Sequence, residues 1–167
     1  MPSPVIEGYL FAWKKNQDYG QKLVSDLSED QMTLQPAGDA NAPANHPAWV
    51  LSHLNVYIPI VCSIIKGETF DDPKEHQFGM QSKPESDGSI YDSKEALIGA
   101  FTAGHDEVVE LLGNADDSIF AQEIQLPRWQ SVMPLAGIAL PYLMCNHENI
   151  HLGQISAWRR IQGMPSV

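Results

Sequence analysis

The last predicted helix of this 167-residue chain contains the stretch that decides its fold, His147-Glu148-Asn149-Ile150-His151-Leu152-Gly153-Gln154. Its two histidines are four positions apart, so on an α-helix they are separated by about 40° around the axis and by a rise of about 6 Å. Both imidazole rings can therefore reach one cation. A third histidine, His53, lies far upstream, and the three together predict a metal site.

Helical patterns account for most of the chain. Apolar residues recur at three- and four-residue spacings, and prolines, capping serines and glycines stand where helices begin or end. The predicted helices are Val5–Leu27, Pro47–Lys66, Ser93–Leu112 and Pro134–Gln162. No segment alternates with period two, so the predicted fold class is all-α: a four-helix bundle in a single domain, residues 1–167.

Three connections separate these helices. Residues 35–43, 67–92 and 113–133 are rich in Pro, Gly and polar side chains, which predicts irregular structure. The second connection is about 26 residues long, enough to run the length of a bundle about 30 Å tall. The second and third helices can therefore be parallel.

The net charge of −11 at pH 7 limits the partners of the protein. It repels phosphate backbones and anionic lipid, so neither nucleic acid nor a membrane surface is an expected partner. The stretch from Pro43 to Ile65 contains no Asp, Glu, Lys or Arg, but its histidines, asparagines and prolines favour a buried helix over a membrane span. The amino terminus shows no secretion signal, which favours a cytoplasmic location.

The five residues His147-Glu148-x-x-His151 also match the zinc-peptidase signature, in which the glutamate acts as a base. Such enzymes take their third ligand downstream. The sixteen residues after His151 contain no His, Asp or Glu, which argues against a peptidase without excluding it.

The third ligand is then expected upstream, and His53 is the best placed histidine there. Trp49 and Tyr57 lie four residues to either side of it, so His53 should face inward between aromatic rings. The other upstream histidines are expected to be structural or exposed: His46, His76 and His105. Of these, His105 lies in the polar run 104–107 and is most simply a solvated surface residue. The alternative to a metal is that the three histidines only hydrogen-bond across the core.

Two further polar residues lie close to the histidine pair. Gln154, three residues after His151, could orient a ligand ring or hold a small ligand, although core packing explains it equally well. Glu148 points about 100° away from His147, so it is a candidate base or hydrogen-bond acceptor but could equally be solvated. Both are candidate catalytic residues.

Trp49-x-x-x-His53 combined with His147-Glu148-x-x-His151-x-Gly153-Gln154 resembles the DinB-like superfamily of metal-binding proteins. The resemblance extends over nearly the whole chain, including the segments 45–49 and 160–163. It implies a four-helix bundle with up-down-down-up topology. It also implies that His53, His147 and His151 are metal ligands, with nickel, zinc, iron or manganese as the divalent metal.

The resemblance implies a metal site more firmly than a reaction, because one fold supports many functions. Members of the superfamily include thiol-dependent S-transferases, so we expect a small-molecule enzyme: either such a transferase, using a low-molecular-weight thiol, or a metal-dependent hydrolase. The alternative is a non-catalytic bundle that a metal stabilises or that binds a partner. A homodimer fits both, with Trp129 and Trp158 as candidate interface residues, although core packing is the simpler explanation for them.

Overall fold

The computed structural model describes residues 2–36 and 44–167, and within them the protein is all-helical. Most of the predicted 35–43 loop, residues 37–43, lies outside the described residues. No strand is assigned in the described part; one isolated bridge pairs Glu123 with Leu135. The α-helices are α1 Pro4–Ser25, α2 Pro47–Lys66, α3 Lys94–Gly113, α4 Pro127–Gln130, α5 Ala136–Pro141 and α6 Glu148–Ile161.

Four long helical segments dominate the structure, as predicted. The bounds of α2 agree with the prediction at both ends, and α1 and α3 differ from it by at most two residues. The fourth predicted helix is divided into three parts, because the π-helical segment Tyr142–His147 joins α5 to α6. A π-helical turn is rare and is often found at functional sites. Pro141, which lacks an N–H group, directly precedes it.

The ends of the long helices are stabilised by residues that the sequence marks. The hydroxyl of Ser3 accepts from the Ile6 amide at the start of α1, and that of Ser93 accepts from the Ala96 amide at the start of α3. His46 caps α2, because its ring accepts from the Trp49 amide. Gly67 ends α2 in the left-handed conformation, with φ of 69°, which favours glycine.

The long helices pack around one apolar core. α3 contacts both α1 and α2, and α6 also contacts both of them. Gly20 lies where α1, α3 and α6 come together: a Cβ atom there would be 2.8 Å from the Phe101 ring and 3.2 Å from Leu152. This close approach allows the π segment and α6 to lie against α1.

The helix α2 is the most apolar element of the protein. By length and composition alone Pro47–Lys66 could cross a membrane, but 78% of that window is buried inside the protein. The core helix of a water-soluble protein meets the same criterion. The burial agrees with the prediction of a buried helix for this stretch, and it places His53, near the middle of α2, inside the protein.

Candidate metal centre

The structure brings the three predicted ligands together. His53 comes from α2, His147 from the end of the π segment and His151 from the first turns of α6. One ring nitrogen from each lies within 4.8 Å of the others, and among the described residues no other group of three His, Cys, Asp or Glu side chains does so. The Nε2 atoms of His53 and His147 are 3.0 Å apart.

This spacing suits a shared metal ion. Nitrogens that each lie about 2.0–2.1 Å from one ion are about 2.9–3.4 Å apart at the coordination angles of common geometries. Three neutral imidazoles are ligands that several late transition metals accept. The donor set therefore fits a divalent transition metal, and it leaves room for further ligands because the protein supplies only three.

Hydrogen bonds orient two of the rings toward the centre of the cluster. The Nδ1 atom of His53 lies 2.6 Å from the carbonyl oxygen of Phe78, and that of His151 lies 2.9 Å from Oε1 of Gln154. Because both oxygens only accept, each Nδ1 carries the proton and each Nε2 keeps a lone pair. In metal sites such partners orient the ligand rings and increase their basicity.

Gln154 has a second partner that extends this support. Its Oε1 also accepts from the side-chain amide of Asn45, at 2.9 Å. Gln154 thus lies beside His151 and accepts from both its ring and Asn45. Asn45, just before α2, links the entry of that helix to the ligand helix α6. Its role requires two segments far apart in sequence to meet.

The environment keeps the histidines neutral. Burial and, to a smaller extent, the nearby His151 imidazole lower the pKa of His53 to about 4. Burial lowers the pKa of His147 to about 3, and the two neighbouring imidazoles act in the same direction. The pKa of His151 is also lowered by burial. At pH 7 the rings are thus unprotonated, which is the form that binds a metal.

A pH-dependent stability follows for the metal-free protein. The pKa of His46, like those of the three cluster histidines, is lowered by burial. The unfolded chain therefore takes up protons near the ordinary histidine pKa of about 6.5, whereas the folded chain does so only at lower pH. Stability present above pH about 6.5 is lost as the pH falls toward 4.

Urea unfolding with chelator at pH 7.5, 6 and 5 measures this loss. His46→Asn keeps a capping side chain and removes one titrating group, so its stability should fall less between pH 7.5 and 5 than that of the wild type. Equal stability of the wild type at pH 7.5 and 5 would contradict the argument.

The cluster opens into a cavity of about 290 Å³. Its walls are largely aromatic and apolar, and they come from α2, the 67–93 connection, the 114–135 connection and the π segment. The side chains around it besides the histidines are Trp49, Tyr57, Met80, Arg128, Trp129, Val132, Met133, Tyr142 and Leu143. The rings of Trp49 and Tyr57 lie 4.9 Å and 4.7 Å from that of His53, in agreement with the predicted aromatic surroundings.

Arg128 is the one charged side chain in this lining. It donates from Nε to Oδ2 of Asp72 at 2.6 Å and from a second nitrogen to Oδ1, so the two side chains form a two-point ion pair. The pair ties α4 to the segment after α2.

The two tryptophans that were candidate interface residues are both buried. Trp129 lies in the cavity wall and is only 4% exposed, and Trp158 is 2% exposed. Both therefore pack inside the protein, as in the simpler of the two explanations.

The sequence of the chain matches a known protein family over most of its length. A sequence model of the DinB superfamily matches residues 12–155. The chain belongs to the DinB superfamily. Comparison with curated proteins and with solved structures returned no significant match.

In this DinB-superfamily chain the Glu148 carboxylate faces away from α2. Its Oε1 lies 2.6 Å from Nε2 of His105, and its Oε2 accepts from the Asn16 amide at 3.4 Å. Glu148 is only 2% exposed, and burial raises its pKa. The carboxylate is thus held by α1 and α3, whereas His147 beside it faces α2. This arrangement does not suit the base of a zinc peptidase.

His105 corrects one expectation. The polar run 104–107 predicts a solvated surface residue at this position, but His105 is fully buried. Its ring stacks on Trp13 with centroids 4.1 Å apart, and its Nδ1 donates to the Phe101 carbonyl. The helical spacing of α3 could have predicted that His105 is buried, because His105 continues the apolar stripe of that helix between Phe101 and Val108. The other two histidines agree with the expectation: His46 is a buried helix cap, and His76 is exposed.

The role of Gln154 can be measured separately from that of the ligands. Replacing Gln154 with leucine removes the acceptor of the His151 Nδ1 proton, so metal affinity should fall about 10- to 100-fold while the fold is retained. Competition with a chromophoric chelator measures the affinity. Gln17→Leu is the matched control, because Gln17 hydrogen-bonds to α3 instead. Equal affinities in the two variants would rule out this role.

Proposed function

We propose that the protein is a small-molecule enzyme that holds a divalent transition metal through His53, His147 and His151. The observation that carries this proposal is the cluster of three buried or half-buried imidazoles at the base of an apolar cavity. Three protein ligands leave coordination positions open, which is typical of catalytic rather than structural sites. Nickel, zinc, iron and manganese all remain compatible with this donor set.

A divalent ion at this position would lower the pKa of a thiol or water that reaches it, and so supply a nucleophile at neutral pH. The residues of the chain contribute the rest of the chemistry. The Phe78 carbonyl and Gln154 hold the imidazoles in place, and the aromatic walls exclude water from one side of a substrate. Arg128 is a positive group at the cavity wall that can orient an anionic substrate group. The proposed reactions are thiol-dependent S-transfer and hydrolysis.

Cobalt substitution separates these two reactions. The chelated protein is loaded with Co²⁺ and titrated with a low-molecular-weight thiol such as cysteamine, with ethanolamine as the matched oxygen analogue. A transferase should give an intense charge-transfer band with cysteamine and none with ethanolamine. If no thiol changes the spectrum and hydrolysis of small esters needs the metal, the hydrolase is favoured. A protein that fails in both tests is not the proposed enzyme.

A non-catalytic role is the second candidate, and one observation favours it. The cluster joins α2 to the π segment and α6, so a bound ion would link two helices that are far apart in sequence. If the metal only stabilises the bundle, chelation should lower the midpoint of thermal unfolding by several degrees, while screens for thiol conjugation and hydrolysis stay negative. Chelation without effect on stability would argue against it.

We also propose that the four long helices form a single domain and run in up-down-down-up order. Trp13 contacts His105 while Lys94 contacts the end of α1, which supports antiparallel α1 and α3. Asn55 bonds to Leu97 and Lys66 to Glu107, which supports parallel α2 and α3. The remaining pairs support α6 parallel to α1 and antiparallel to α2: Asn16 with Glu148, Asp26 with Arg159, and Asn45 with Gln154.

We also propose a cellular location and a kind of partner for the enzyme. With a net charge of −11, we expect it to work in the cytoplasm on small molecules, away from nucleic acid and membranes. A homodimer also fits, and exposed apolar residues such as Ile138 of α5 and Ile150 of α6 are available for it. Sedimentation at micromolar concentration measures the oligomeric state.

A further inference from the structure

A second cavity lies beside the metal cavity and contains none of its three histidines. It has a volume of about 520 Å³ and lies between α2, α3 and the 67–93 connection. Apolar side chains form much of its wall, including Pro59, Ile60, Phe70, Phe78, Leu97 and Ala100. Phe78 and the Asp72–Arg128 ion pair separate it from the metal cavity, since Asp72 lines one cavity and Arg128 lines the other.

The charged groups of this second cavity are all acidic. Asp71, Asp72 and Asp92 line it, no Lys or Arg does, and the only other His, Asp or Glu in the lining is the exposed His76. Arg128 neutralises Asp72, whereas neither Asp71 nor Asp92 makes an ion pair within residues 2–36 and 44–167. A cavity with two uncompensated carboxylates and low-dielectric walls concentrates cations and repels anions.

Two polar atoms on the α2 side of the cavity also lack partners. Ser52 is only 4% exposed, and its hydroxyl makes no hydrogen bond to the described residues. Asn55 donates its side-chain amide to the Leu97 carbonyl, but its Oδ1 atom accepts from no described group. Leaving buried polar atoms unpaired costs stability, so a ligand that donates hydrogen bonds is favoured here.

The arrangement suits an organic cation better than a metal ion. In the part of the chain that the structure describes, only the histidine cluster brings three ligand atoms within metal-binding distance, so the three carboxylates of this cavity do not form such a group. Aromatic rings such as those of Phe70 and Phe78 attract ammonium groups through their faces and also cover an apolar body. We propose that the second cavity binds a small organic ammonium ion, with its charged head near Asp71 and Asp92 and its apolar part against Phe70 and Phe78.

Calorimetric titration with matched probes tests the charge requirement. The probes are phenethylammonium, phenethyl alcohol and 3-phenylpropionate, which share an aromatic body and differ in charge. The cation should bind at least tenfold more tightly than the other two. Equal affinities, or no binding of the cation up to several millimolar, would overturn the proposal.

Variants test the location. Asp71→Asn combined with Asp92→Asn should weaken phenethylammonium binding at least tenfold, and Ala100→Trp, which fills the cavity from its exposed edge, should weaken it as strongly. The control Glu110→Gln combined with Glu123→Gln removes two exposed carboxylates elsewhere and should change the affinity less than twofold. Circular dichroism checks that each variant is folded.

His151→Ala separates this site from the metal centre. Because His151 lies only in the metal cavity, this variant should bind phenethylammonium as the wild type does even when its metal is lost. Loss of binding in His151→Ala, or unchanged binding in the double Asp variant or in Ala100→Trp, would show that the second cavity is not the site.

Discussion

Replacing His151 with alanine is expected to remove nearly all metal from the purified protein. His151 supplies one of three clustered nitrogens, and Gln154 already fixes the proton of its other nitrogen. Loss of a partner of a ligand ring typically costs about 10- to 100-fold in metal affinity, so loss of the ligand itself should cost at least about 100-fold. Two remaining imidazoles would bind a divalent ion only weakly.

Metal content, measured after purification without chelator, checks this expectation. The wild type should contain close to one divalent ion per chain, and His151→Ala should contain almost none. His76→Ala is the matched control, because His76 is an exposed histidine outside the cluster. A wild type with little metal that does not fall further in His151→Ala would refute the metal centre.

The second large effect is expected at Glu148, and on stability rather than on metal content. Glu148→Ala removes the partner of a fully buried histidine and leaves a small cavity at the junction of α1, α3 and α6. Breaking a buried hydrogen-bonded pair from one side typically costs about 3–5 kcal/mol in the free energy of unfolding. We expect a cost of about 3 kcal/mol, measured by urea denaturation.

Three further variants test whether Glu148 and His105 stabilise the protein through one shared interaction. Glu148→Gln can still form a hydrogen bond with Nε2 of His105, because its amide can donate to that nitrogen, and it should lose less stability than Glu148→Ala. His105→Ala should cost a similar amount, and the double variant should cost less than the sum of the two, because both remove the same interaction. All three should keep their metal. Loss of metal in Glu148→Gln with full stability would contradict this prediction, because it would place the action of the carboxylate at the metal centre instead of at His105.

The helices could be predicted because their signals are local. The capping residues Ser93 and His46 and the proline at Pro47 lie next to the ends that they mark. Pro141 predicts a kinked or loosened last helix but not the form that this takes, since a proline within an apolar helix can produce a kink, a break or a π turn. Which of these forms depends on what packs around Pro141.

The ligands could be predicted as well, and their environment could not. His147 and His151 are one turn apart on one helix, and His53 lies between aromatic residues at helical spacing. Phe78 and Asn45 hold the site through contacts across 25 and 109 positions of sequence. No local pattern marks such partners, because a backbone carbonyl and an asparagine occur everywhere in proteins.

The sequence by itself determined the all-helical fold, the bounds of the first three long helices and the three histidines, because helical periodicity places side chains on one face within a few residues. Only the tertiary structure decided what surrounds them. It turned Glu148 away from the cluster toward His105, and it placed the two connections so that Arg128 and Asp72 meet between two cavities. Such contacts depend on how helices and long connections pack, which is a property of the whole chain.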